Sequence, residues 1–530
     1  MKIFNRKRFC AALAGLGILG MASVVQAVSL SPDGMGQVLI YPYYTVRANA
    51  DGNAYDSLFT VINAKNAGKA VRVRIREGKA GHEVLEFNLY LAPRDVWTAA
   101  ISANADGAQI ATTDTSCTSP SVRAQSPVSF RGYEFSGADA DGEDASLDRT
   151  REGYIEIIEM AEVTGVTLNA ITHAMIDGVW MPRNCGTIQE GYLANTQPFF
   201  AGDLRTPTGG LFGNMTLINV NTARAVGYDA VALSGFYKGG DAWGDFGGVR
   251  VADTLWFPAG IENPNLSMAY PATSTIFDDE AGVVESAWTG VGGAWNGADW
   301  VSEVDAIGGR RSVFKPGLDA VSSVLMRSSI INEFNVAEVY AGATDWVITM
   351  PTKNLYFDRG DRSLKFLKPR KLFQREFRLG GAVDDVQRAW IYDREERGYS
   401  LNCYDGPISL PPPDCDQRPH LPWAANVIQF PRYRDGVGIF HSINRNRWEI
   451  STGPYDAGWA QIDIGAVYPL TSGGHTLTAD APVGRKFTGL PVVGFASTLF
   501  NNGGVDGGAL GKVWASYVGT VPHRYERNIQ

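Results

Sequence analysis

The strongest constraint on this chain is the stretch from Asp56 to Ile101, and within it Ala70-Val-Arg-Val-Arg-Ile-Arg76. Val71, Val73 and Ile75 alternate with Arg72, Arg74 and Arg76, which is the two-residue period of a strand with one apolar and one polar face. The apolar face belongs against a core, and the arginines read most simply as a solvated face. Ser57 to Asn63 is rich in β-branched and aromatic residues and ends in the turn cluster Ala64-Lys-Asn-Ala-Gly68. Glu77-Gly-Lys-Ala-Gly81 turns the chain again, Val84 to Leu91 supplies a third strand, Pro93-Arg-Asp95 breaks it, and Val96 to Ile101 starts a fourth. Four consecutive strands of this kind call for a sheet whose apolar face packs on a second layer.

The rest of the chain extends that reading. Sixty glycines, 26 prolines and 21 tyrosines, with few helix-period segments, favour an all-β class. Asn214-Met-Thr-Leu-Ile-Asn219 echoes Phe59-Thr-Val-Ile-Asn63, and Asp229-Ala-Val-Ala-Leu233 echoes the alternating strand. Glu333-Phe-Asn-Val336 matches Glu86-Phe-Asn-Leu89, and Thr344-Asp-Trp-Val-Ile-Thr349 resembles Asp95-Val-Trp-Thr98. The expected fold is therefore all-β: two or more β-sandwich units in a degenerate duplication, with long Gly/Trp-rich loop insertions. Its expected divisions are a signal peptide at 1–27, an N-terminal sandwich at 28–200, a second at 201–360 opened by an insertion at 238–316, and a C-terminal β-rich domain at 361–530.

Met1 to Ala27 carries Lys2, Arg6, Lys7 and Arg8, then an apolar run from Ala11 to Val25, then Val25-Gln-Ala27. This is the layout of a secretory leader, with an apolar run short of the roughly 20 residues a bilayer span needs. The expectation is export to the periplasm, the cell surface or the medium, with no membrane span after cleavage. Losing those four cations takes the formal net charge from −9 to −13, a balance that argues against nucleic acid as a partner.

Beyond the leader stand Cys117, Cys185, Cys403 and Cys415, an even number in an oxidising compartment. Sequence permits three pairings. Cys403 and Cys415 bracket a short proline-rich loop, which favours Cys403–Cys415 with Cys117–Cys185, and no CxxC spacing supports a metal–thiolate site.

Ligand-type residues fall in loops. Asp51, Asn53 and Asp56 lie close together, as do Asp139, Asp141 and Asp144 with Asp148; they are oxygen donors of the calcium kind but do not match an EF-hand, and solvated loops are the preferred reading. Structural calcium is the one cofactor these residues suggest. In the insertion, Trp243, Trp256, Trp288, Trp295 and Trp300 lie among glycines. Such rings either stack on a sugar or partner, with Trp243, Trp288, Trp295 and Trp300 the candidates, or plug the end of a core; the second is the commoner fate of indole. Arg359 to Arg378 is a basic segment with interleaved aromatics, most simply a strand with a solvated face. Six scattered histidines and the lack of Gly-x-Ser-x-Gly, His-Glu-x-x-His, phosphate-loop or dinucleotide motifs lower the expectation of an enzyme.

Val38-Leu-Ile-Tyr-Pro-Tyr-Tyr-Thr45, Lys69-Ala-Val-Arg-Val-Arg74, Glu86-Phe-Asn-Leu-Tyr-Leu91, Thr344-Asp-Trp-Val-Ile-Thr349 and Pro491-Val-Val-Gly-Phe-Ala496 resemble segments of a group of exported proteobacterial proteins without assigned activity. The strands closed by Leu91-Ala-Pro93 are also similar to bacterial immunoglobulin-like modules, a resemblance that implies immunoglobulin-like sandwiches for the expected units. These motifs are structural, so the resemblance carries no functional residue to this chain. Two classes of function remain. One is a non-enzymatic envelope or extracellular protein with a structural, adhesion or binding role, whose partners are other envelope proteins or itself. The other is a glycan-binding or glycan-cleaving protein using the 243–300 tryptophans.

Overall fold

The computed structural model describes residues 27–137, 140–188, 201–239, 253–277, 310–356, 388–402, 421–430, 438–445, 455–465, 475–481, 484–506 and 511–530, with 245–246, 249–250, 294–295, 300–301, 372–373, 386 and 508. In chain order the strands that matter most for the site are β1 (Val38–Thr45), β2 (Asp56–Asn63), β3 (Gly68–Glu77), β4 (Glu83–Leu91), β5 (Val96–Ala103), β6 (Ala108–Ala111), β7 (Cys117–Ser119), β8 (Glu152–Val163), β9 (Asn214–Asn219), β10 (Arg224–Asp229) and β11 (Val231–Ser234). Helix α1 spans Gly165–Ile171 and helix α2 spans Gly317–Leu325.

An eight-stranded sheet, called the central sheet below, runs Ser29–Leu30, β11, β1, β8, β3, β4, β7, with Leu204–Arg205 added to β8. A seven-stranded sheet runs β10, β9, β2, β5, β6 and Val128–Ser129, with Leu211–Phe212 added to β2. Between the two lies one core, into which the central sheet sends Tyr41, Val71, Val73, Ile75 and Ile157 and the second sheet sends Phe59, Val61, Trp97 and Leu217. Trp97 stands edge-on to Phe59 at 5.5 Å, the preferred geometry for aromatic pairs.

The reverse face of the central sheet is covered as well. Ile40, Ala70, Tyr90, Ile158 and Met160 pack there against Leu255, Trp256, Phe257, Leu266 and the helix α2 residues Val321 and Val324. Every residue of β1 and β3 is buried. Sheets of four strands (Ala425–Phe430, Ala343–Thr349, Val493–Asp506, Lys512–Pro522) and of five (Gly398–Asn402, Arg388–Asp393, Ala457–Asp463, Ser329–Asn335, Arg524–Glu526) follow in the C-terminal half. Among the described residues no helix is long and apolar enough to cross a membrane, which says nothing of a barrel.

This architecture corrects the expected fold class. The chain is a mixed α/β assembly of several open sheets, not an all-β protein of immunoglobulin-like sandwiches. In a sandwich of that kind each sheet keeps one wet face, whereas here the central sheet is dry on both sides and α2 helps to cover it. The duplication fails for a related reason. Asn214–Asn219 pairs with β2 inside one sheet, and Val231–Ser234 pairs with β1 inside the other. Asn214–Asn219 is thus a neighbour of the strand it resembles and Val231–Ser234 extends the central sheet, so both complete the first sheets, while the echoes at 333–336 and 344–349 lie in the sheets of the C-terminal half.

Candidate functional site

The site begins with a bulge. Strands β3 and β4 pair with Arg74 opposite Glu86 and Ile75 opposite Leu85, but Arg76 falls opposite Glu83, leaving Val84 as the extra residue. Strict alternation would put Glu83 and Glu86 on opposite faces; the bulge brings both to the arginine face. Strand β8 adds Glu156, opposite Arg74.

Arg72, Arg74 and Arg76 are 0 % exposed, so the expectation of a solvated arginine face is overturned. For Arg72 and Arg74, what replaces water is a set of carbonyls delivered from 257–264. Arg72 pairs with Glu86 and donates to the carbonyls of Phe257 (3.0 Å), Pro258 (2.7 Å) and Ile261 (3.1 Å). Arg74 pairs with Glu83 and donates to the carbonyls of Glu262 and Pro264, the latter at 2.8 Å. Arg76 pairs with Glu156 at 3.2 Å and donates to the Gly81 carbonyl at 2.8 Å. Gly260 returns the favour by donating its amide to the Glu86 carboxylate, from a left-handed conformation (φ 89°) that suits glycine.

At the β4 edge of this layer lies a cleft of about 310 Å³, whose lining includes Glu83, Glu86, Arg131, Tyr133, Glu134 and Glu262. The Glu83 amide donates to Glu134 at 2.8 Å. Behind it His82 faces Glu134 at 3.6 Å and Asp141 at 3.2 Å, and Arg149 bridges Asp141 (2.8 Å) to Glu77 (3.1 Å) while lying over Phe135 at 4.4 Å. Burial pushes the Glu86 carboxyl above its ordinary range, against the pull of Arg72. At Asp141 burial acts the same way but is outweighed by hydrogen bonds from His82 and Arg149, which hold it well below the usual carboxylate range. Tyr133 is 74 % exposed, with the Arg131 guanidinium 6.0 Å from its ring. The lining thus offers fixed acceptors, an exposed donor in Arg131 and an open aromatic face.

A second titratable cluster sits where the four-stranded sheet meets β1 and β2. Asp345 is buried and accepts the Phe440 amide at 3.2 Å; Tyr55 donates to the Ile439 carbonyl at 3.0 Å, with its ring 5.9 Å from that of His441. Burial pushes Asp345 up to about 7 and His441 down to about 4. Asp345 and Tyr55 are thus tied to the backbone of Phe440 and Ile439.

The residues singled out from sequence are dispersed. Trp256 is buried and donates its indole N–H to the Tyr90 hydroxyl at 3.1 Å, plugging the covered face of the central sheet. Trp295 and Trp300 stand opposite each other in a two-stranded pair, described as backbone only, and Trp243 and Trp288 lie outside the described residues. Asp51 and Asn53 donate their amides to the Asn49 side chain, and Asp56 opens β2. Asp141 is consumed by His82 and Arg149, Asp144 by Ser146, and Asp148 by Arg47 and Arg151; Asp139 lies outside the described residues. Among the described residues no group of three or more His, Cys, Asp or Glu side chains is placed to hold a metal ion. Cys117 and Cys185 are joined by a disulfide, while Cys403, Cys415, the leader and nearly all of the 359–378 basic segment fall outside the described residues. Sequence reading passed over Glu83, Glu86 and Glu134, for which the only local signal was the density of glutamates around three arginines.

Comparisons with protein-family models, with curated proteins and with solved structures returned no match.

Proposed function

We propose that this chain is an exported, non-catalytic binding protein of the cell envelope, and that the Glu83–Glu86–Glu134 cleft receives a hydroxyl-rich ligand of the glycan class. One observation carries the reading: the carboxylates of Glu83, Glu86 and Glu134 are already committed. Glu86 is held by Arg72 and the Gly260 amide, Glu83 by Arg74, and Glu134 by the Glu83 amide. A general acid or nucleophile needs a carboxyl poised to exchange a proton or attack, and these are pinned as acceptors. Pinned carboxylates beside a guanidinium and an exposed tyrosine ring are suited to sugar hydroxyls and a sugar's apolar face. Export rests on the leader at 1–27.

A glycan array probed with the mature chain, followed by calorimetry on the best hit, tests this. Binding should fall at least tenfold in Tyr133→Ala and Arg131→Ala with the melting temperature unchanged, and no glycan should be cleaved. An empty array, cleavage of the bound sugar, or full affinity in both variants would sink the proposal. Fractionation of expressing cells, with N-terminal sequencing for a start near Val28, tests export.

A further inference from the structure

The outer face of the seven-stranded sheet is a second surface, independent of the cleft. Its strands send Phe59, Val61, Trp97 and Leu217 inward, so their alternate residues point out. Cross-strand register arranges these in three rows: Val96–Ile62–Phe212, Thr98–Thr60, and Ala100–Leu58–Thr216. None of these eight side chains is charged. Val96 is 45 % exposed, Leu58 40 % and Phe212 36 %, and a shallow groove of about 470 Å³ runs along Leu58, Thr60, Thr98 and Ala100. Charge returns only at the rim. Exposed Lys65 and Arg94 stand in the turns at the Ile62–Val96 end, and exposed Asp56 and Asp106 stand at the opposite end; Asp229 marks the β10 edge.

We infer that this face is a self-association surface, and that its occupant is a second copy of the chain. Two arguments select that occupant. The molecule carries a formal net charge of −9, so copies repel except where a charge-free face lets them approach. The rim supplies direction: a two-fold axis in the plane of the face, running across the strands near the Thr60–Thr98 row, sets the basic end of each copy over the acidic end of the other. Strand spacing of about 4.8 Å over five strands, and three rows about 7 Å apart, give roughly 500 Å² per copy, or about 1,000 Å² in all. That area falls below the ~1,200 Å² of stable interfaces and fits a weak, micromolar dimer. Two binding clefts carried by one dimer would give a multivalent glycan an avidity that neither has alone.

Sedimentation velocity of the full mature chain from about 1 to 200 µM tests the inference. The expected result is a monomer–dimer equilibrium abolished by Thr98→Lys, which sets like charges face to face at the axis. Thr98→Cys should be captured as a dimer by a short bismaleimide, while Val166→Cys, on an exposed position of α1, should not. A single monomeric species at every concentration would overturn the inference, and so would a dimer that survives Thr98→Lys. Should Thr98→Lys fold poorly, the cross-linking pair decides alone. Glycan affinity measured on isolated monosaccharides stays unchanged throughout, which keeps this test separate from that of the cleft.

Discussion

Replacing Arg72 by methionine tests whether the buried arginines hold the 254–264 segment on the central sheet. The guanidinium is 0 % exposed and serves four acceptors: the Glu86 carboxylate and the carbonyls of Phe257, Pro258 and Ile261. Breaking a buried ion pair costs about 3–5 kcal/mol, because the remaining charge is stranded. Here the stranded carboxylate is 11 % exposed and keeps the Gly260 amide, so the cost should sit near ~3 kcal/mol. The three carbonyls can regain water only if the segment lifts off, so the loss should appear as local opening rather than global unfolding. Hydrogen exchange reads this directly. Leu255, whose amide donates to the Met160 carbonyl at 2.8 Å, and Gly260 should lose about two orders of magnitude of protection, while amides of β2 and β5 keep theirs. Adding Glu86→Leu removes the stranded charge and should restore at least half of the loss. Unchanged protection at Leu255 and Gly260 in Arg72→Met, or a cost below ~1 kcal/mol as for an exposed ion pair, would refute the reasoning.

The remaining expectations concern charge and covalent linkage. Asp345 has its folded pKa raised from 3.8 to about 7 by burial, so the folded state binds more protons than the unfolded one between those values, and stability falls as pH rises through that window. Asp345→Asn should therefore stabilise the protein at pH 8 and have little effect at pH 4; urea midpoints showing the opposite trend would reject the assignment. The Cys117–Cys185 disulfide closes a separation of 68 residues, and the chain-entropy relation gives about 4 kcal/mol for such a loop. Cys117→Ser and Cys185→Ser should each lower stability by that order, and so should a reductant acting on the wild type; a reductant without effect on the melting temperature would contradict this.

Sequence made the local strands legible and left their environment hidden. Strands β2 to β5 stand where the alternating pattern places them, because a period of two is a local property of the chain. The same pattern distinguished the apolar face from the arginine face, yet solvation of the arginines did not follow. The carbonyl partners of Arg72 and Arg74 arrive from Phe257 to Pro264, 185 to 190 residues downstream, beyond the reach of any local rule. Glu83 and Glu86 were illegible as a pair because three residues apart on a regular strand means opposite faces, and one bulge reverses that. The echo of β2 in Asn214–Asn219 reflects what neighbouring strands of one sheet have in common: alternate apolar residues facing one core, with an asparagine at the end.

A covered polar face is an unusual way to build a central sheet, and its chemistry explains what an apolar alternative would lose. The 257–264 segment contains Pro258 and Pro264, which have no N–H to give to a ladder, so it cannot dock as another strand. Its carbonyls nevertheless lose water on burial and need donors. Guanidinium groups meet that need, because each presents five N–H donors in a rigid fork that can serve a carboxylate and two or three carbonyls together. Lysine, with a single charged nitrogen, could not reach Glu86, Phe257, Pro258 and Ile261 from one position. The same arginines aim Glu83 and Glu86 at the cleft, and the Gly260 amide clamps Glu86 from the other side. The wall of the cleft and the cover of the sheet are therefore one hydrogen-bonded unit, so a ligand gripping Glu86 should also tighten the 254–264 segment.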